Sequence, residues 1–84
     1  MARTIAITIR SYTLLPHPPS GFRLGRPFEL AVEEGTTLAQ LTEKVLAIPQ
    51  GRVALMAVNG QRGSEDYVLQ SQDRVHLFPP IGGG

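Results

Sequence analysis

Apolar and polar residues alternate with period two in three stretches of the chain, and between the second and third the pattern changes once to a helical repeat. Ile5, Ile7 and Ile9 alternate with Thr4, Ala6, Thr8 and Arg10, so three β-branched side chains share one face of a predicted strand. Phe28, Leu30 and Val32 alternate with Pro27, Glu29, Ala31 and Glu33, which predicts a second strand antiparallel to the first and ended by Glu34-Gly35. Thr37-Leu38-Ala39-Gln40 then has the form of a capping box, in which the threonine hydroxyl accepts from the N3 amide and the glutamine reaches back to the cap. Leu38, Leu41, Val45 and Ile48 follow on one helical stripe, with Gln40, Glu43 and Lys44 turned outward, and Pro49 and Gly51 end the run. Buried against the isoleucine face, these four side chains would each contribute about 1.5–3 kcal/mol.

Residues 53–58 are an apolar run closed by Asn59-Gly60, the dipeptide suited to a type I′ turn because both positions take positive φ. Residues 61–72 are polar apart from Tyr67-Val68-Leu69 and predict no more than a short edge strand or one helical turn. Val75 and Leu77 alternate with Arg74, His76 and Phe78 in a last strand that runs into Pro79-Pro80-Ile81-Gly82-Gly83-Gly84. Residues 11–26 contain Pro16-His17-Pro18-Pro19 and two glycines, which neither a helix nor a ladder accommodates, so they predict an irregular loop.

Two strands, one helix and two or three further strands are the order of an α+β, ubiquitin-like β-grasp. The expectation is a mixed four- to five-stranded sheet with one main helix on one face, its first and last strands parallel at the centre. Residues 1–78 are expected to form the domain and residues 79–84 a flexible tail.

Composition narrows the function. A chain of 84 residues makes one domain, and at this size only about 60% of the unfolded surface is buried, which leaves no room for a deep pocket. Lys+Arg 8 against Asp+Glu 7 gives a net charge of +1, far from the basic footprint of a nucleic-acid binder. With no cysteine there is no disulfide, thiolate metal site or nucleophilic thiol, so any sulfur chemistry uses imported sulfur. The N-terminus has no continuous apolar h-region, and no run approaches the roughly eighteen apolar residues of a membrane span, so a cytoplasmic location is expected. His17 and His76 have no second ligand or relay partner at a suitable spacing, so neither a metal site nor independent catalysis is expected.

What remains is the carboxylate at the end of the glycine run. Glycine is roughly 7% of average sequence, so three closing glycines arise by chance in only a few per ten thousand chains. A backbone without Cβ threads a narrow channel, and from Pro79 to Gly84 it reaches at most about 20 Å. Pro79 and Pro80 hold φ near extended values and lower the entropy lost on entering such a channel.

The strand order, joined to Ala54-Leu55-Met56-Ala57-Val58-Asn59-Gly60 and to Asp73-Arg74-Val75-His76-Leu77-Phe78-Pro79-Pro80 with its terminal glycines, resembles the MoaD/ThiS family of ubiquitin-like sulfur carriers. The phrase AVNG, followed by D-x-V-x-x-FPP, is closer to the MoaD branch. The resemblance implies that Gly84 is adenylated by an ATP-dependent MoeB- or ThiF-like activating enzyme and converted to a thiocarboxylate. No cofactor is bound by the carrier itself, since the ATP is used by the activating enzyme. In the MoaD branch the sulfur passes to a pterin precursor held by a larger, MoaE-like synthase subunit. Pro79, Pro80, Ile81, Gly82 and Gly83 would thread the partner's active site. Two features depart from the family pattern: three closing glycines in place of two, and the long loop at residues 11–26. A paralogue serving a tungsten cofactor or another sulfur pathway, such as thiamine or cysteine biosynthesis, stays open.

The sheet face turned away from the helix is the expected docking surface, presenting Ala6, Thr8, Arg74, His76 and Phe78, with Arg10 and Arg62 flanking it. Phe78 is the strongest single candidate, an aromatic ring beside the tail. Two other classes fit the same tail. A ubiquitin-like modifier would be conjugated through Gly84 to lysines of other proteins, and a plain β-grasp binding module would keep its function without Gly83 and Gly84.

Overall fold

The computed structural model describes residues 3–81. The strands are β1 (Thr4–Ser11), β2 (Phe28–Glu33), β3 (Leu55–Val58), β4 (Gln61–Arg62) and β5 (Arg74–Phe78). They form one five-stranded sheet in the order β2-β1-β5-β3-β4. β1 pairs antiparallel with β2 and parallel with β5, so the first and last strands lie side by side at the centre, as the pattern predicts. The strands and the single helical segment make this a β-grasp, ubiquitin-like fold.

The isoleucine face carries the core. Ile7, Ile9, Val75 and Leu77 are buried beneath Leu38 and Leu41 of the helical segment, with Val32, Val58 and Leu69 completing the contact. Leu15, from the proline-rich loop, also joins this cluster, so the loop is anchored and not merely a surface connection.

The helix starts as expected. Both halves of the capping box are present: Thr37 Oγ1 accepts from the Gln40 amide at 3.2 Å, and Gln40 Oε1 accepts from the Thr37 amide at 3.0 Å. The next amides are satisfied from outside the helix, Leu38 by the carbonyl of Tyr67 at 2.9 Å and Ala39 by that of Glu65 at 3.0 Å. The polar segment 61–72 thus folds over the helix start, and its only strand is the two-residue β4.

The expected stripe fails at one position. α1 (Leu38–Gln40) gives way to a π-helical turn at Leu41–Val45, in which the Leu46 amide donates to the carbonyl of Leu41 at 2.8 Å. The Thr42 hydroxyl bonds back to the carbonyls of Leu38 and Ala39 at 3.3 and 3.2 Å, competing with the α-helical ladder where the wider turn begins. Because i+5 now follows i on the buried side, Leu46 enters the core and Val45 is left 46% exposed. Ala47, at φ 51, closes the segment before Pro49.

Candidate docking face and tail

The strand registers bring the predicted surface residues together in rows across the sheet face opposite the helix. Thr8 stands opposite both Glu29 and Arg74. The next row runs from Arg10 to His76, then Ala57, then Arg62, across four strands. Phe78 stands opposite Leu55 in the third row. Arg10, Arg62 and Arg74 are exposed, while Thr8, His76 and Phe78 are half-buried. The charged groups on this face are thus cationic on β1, β5 and β4, and acidic on β2, where Glu29 and Glu33 lie.

Phe78 is outward, but it is not bare. The ring of Tyr12 lies 4.9 Å from it, nearly parallel at 3°, and 6.2 Å from the His76 ring. Offset stacking of this kind is worth about 0.5–1.5 kcal/mol beyond burial. Tyr12 reaches this position because β1 effectively continues: its amide donates to the carbonyl of Leu77 at 2.9 Å. The Gly25 amide then donates to the carbonyl of Ser11 at 2.8 Å, so the far end of the long loop also returns to β1. A Cβ on Gly25, which has φ +75, would stand 3.2 Å from the Tyr12 ring. Tyr12 is the residue that the sequence reading missed. The signal was there, since Tyr12 extends the outward series Thr8, Arg10 by two positions.

The other end of β5 is fixed by Asp73. This buried carboxylate accepts from Asn59 Nδ2, the Tyr67 hydroxyl and the Gln70 amide, each at 2.8 Å. Its hydrogen bond, burial and the carboxylate charge all raise the Tyr67 pKa above its ordinary value of 10.0. Asn59 and Gly60 take φ 53 and 84, as the predicted hairpin turn requires.

At the tail's root the Ala54 amide donates to the carbonyl of Phe78 at 2.8 Å, and the ladder ends there because Pro79 has no amide hydrogen. Pro79 is half-buried, Pro80 is exposed and Ile81 is fully exposed. Gly84, expected to carry the chemistry, and Gly82 and Gly83, expected to thread the partner's active site, lie outside the described residues. Among the described residues no three His, Asp or Glu side chains converge to hold a metal, and no helix is long and apolar enough to cross a membrane.

The fold is that of a ubiquitin-like protein whose last strand, β5, leads through Pro79 and Pro80 to the closing glycines of the sequence. The ThiS family model matches residues 24–84, and the chain belongs to the ThiS family of ubiquitin-like sulfur carriers. Members are small carriers, not catalysts themselves, and work with activating enzymes and synthase subunits. The solution structure of the Haloferax volcanii HVO 2177 protein superposes with a TM-score of 0.66 at 18% identity, over 96% of this chain and 88% of that one, a likeness of fold. No curated protein matches the sequence.

Proposed function

We propose that the chain is a sulfur carrier of the molybdopterin branch. The Gly84 carboxylate is adenylated by an ATP-dependent MoeB- or ThiF-like enzyme and exchanged for a thiocarboxylate, and the sulfur is delivered to a pterin precursor in a MoaE-like subunit. The observation that carries this reading is the Tyr12–Phe78 stack at the root of the tail, bordered by arginines. A partner that binds this face has residues 79–84 within reach of its own active site, with Pro79 to Gly83 threading the channel and Gly84 at its end. Phe78, His76, Arg74 and Thr8 are the contacts, and Tyr12 joins them. Anionic near neutral pH, the thiocarboxylate sulfur attacks as a thiolate would, so the lack of cysteine is no obstacle.

The branch assignment rests on AVNG and D-x-V-x-x-FPP, whose Asn59 and Asp73 are bonded to each other. Delivery in the thiamine branch is the second reading, favoured by the family model that matches. Incubation with an activating enzyme, ATP and a persulfide should add about 16 Da at the C-terminus, the difference between sulfur and oxygen. An unmodified terminus with all components present would overturn the carrier reading, and thiol-stable conjugates on a denaturing gel would favour a modifier. Sulfur delivered to a thiamine-branch synthase, but not to a MoaE-like one, would move the assignment to that branch.

A further inference from the structure

The outer edge of β2 carries a feature unrelated to the tail. β2 is the last strand on its side of the sheet. The Glu34 amide donates to the carbonyl of Arg3 at 2.7 Å, whereas the Thr8 amide and the Ala6 carbonyl are bonded on the opposite side of β1, to Asp73 and Gln72. With Thr4 opposite Glu33, Ala6 opposite Ala31 and Thr8 opposite Glu29, these bonds fix the alternation. Phe28, Leu30 and Val32 bond to β1, while the amides and carbonyls of Glu29, Ala31 and Glu33 point out of the sheet. The Glu33 carbonyl is used by the amide and hydroxyl of Thr36, at 3.1 and 2.6 Å. Among the described residues no hydrogen bond reaches the other outward groups.

Beside this edge lies a groove of about 390 Å³ whose walls include Val32 and Val45 together with Glu33, Thr36, Gln40 and Lys44. The π turn puts Val45 there. The edge is therefore a row of backbone groups that, apart from the Glu33 carbonyl, have no partner among the described residues. It lies beside a slot of mixed lining whose apolar part is Ala31, Val32 and Val45, and it carries two exposed carboxylates, Glu29 and Glu33. A second copy is a poor occupant. Antiparallel self-pairing centred on Ala31 would set Glu29 against the copy's Glu33 on both sides of the centre, and like charges directly opposite are destabilising.

We propose that this edge accepts an extended segment of a partner protein as a sixth strand. Its lysines or arginines lie opposite Glu29 and Glu33, and its apolar residues enter the slot against Val45 and the stem of Lys44. Main-chain bonds give affinity in strand addition, and alternate side chains give specificity. The Lys44 ammonium, at the slot, selects against a segment that is basic on both faces.

The test is titration of the ¹⁵N-labelled full chain with a capped seven-residue peptide alternating lysine and valine. The amides of Glu29, Ala31 and Glu33 should shift and exchange more slowly, and a glutamate–valine peptide should bind at least about tenfold more weakly. Ala31→Pro removes the central outward amide at a position where an edge strand tolerates proline, and should weaken binding at least about tenfold while sulfur loading is unchanged. If that variant does not fold, the pair Glu29→Lys and Glu33→Lys decides, because it should reverse the preference between the peptides. Equal affinity for both peptides, shifts spread over β5 and β3, or undiminished binding by Ala31→Pro would overturn the proposal.

Discussion

Asn59 and Asp73, fourteen residues apart, hold the two turns at one end of the sheet together: the Asn59 amide group donates to Asp73 Oδ1 at 2.8 Å. The same Asn59 side chain accepts from the Arg74 amide at 2.9 Å, and its backbone amide donates to the carbonyl of Arg74 at 2.8 Å. This clamp sets the start of β5 against β3, and so the register that places His76 and Phe78 on the open face.

Replacing Asp73 with alanine leaves Tyr67, Gln70 and Asn59 each short of an acceptor. A hydrogen bond to a charged group is worth about 1.5–3 kcal/mol, and the loss of three in one site is expected to cost at least about 3 kcal/mol. Asn59→Ala, which spares two of the three donors, should cost less. Urea denaturation of both variants measures the difference, and equal midpoints would show that the clamp does not act as a unit.

Tyr67 gives a pH dependence of definite sign. Its pKa in the folded chain lies above the ordinary 10.0, so above that value the unfolded chain loses this proton first and stability falls as pH rises. The contribution is complete below the ordinary pKa and is lost as pH rises through the raised one. The thermal midpoint of the wild type should therefore fall more steeply as pH rises above about 10 than that of Tyr67→Phe. Parallel profiles would remove Tyr67 as the cause.

The π turn predicts opposite outcomes for neighbouring residues. Leu46→Ala should cost about 2–4 kcal/mol, as for a buried leucine, whereas Val45→Ala, at an exposed position, should stay within about 0.5 kcal/mol. A regular helical stripe would give the reverse order. Denaturant melts of the two variants separate the cases.

Phe78→Ala is expected to raise the apparent KM of the carrier for its activating enzyme by about thirtyfold, the size of a hot-spot loss near 2 kcal/mol. Tyr12→Ala removes the stacking on Phe78 and a smaller contact of its own, and should give about fivefold. With the tail intact, kcat should hold in both. A fall in kcat at unchanged KM would place these rings in the chemistry and not in docking.

The sequence by itself determined the element order, the parallel central strands, the capping box and the outward placement of Phe78 and His76. The parallel pairing follows from the element order, and the others from local periodicity or turn chemistry: period two in Ile5-Ile9 and Val75-Leu77, the Thr37–Gln40 box, and positive φ at Asn59-Gly60. What only the tertiary structure decided depends on contacts between distant segments. Val45 and Leu46 are an exception of local origin, exchanging roles where the Thr42 hydroxyl and the chain's exit at Ala47 accompany a wider last turn, an outcome that a fixed helical period does not encode. Tyr12 reaches Phe78 because β1 continues along β5, with the loop's far end returning to it at Gly25, and Leu15 of the same loop joins the core. The free edge of β2 follows from strand order: among the described residues its outward amides have no partner because no strand lies beside them.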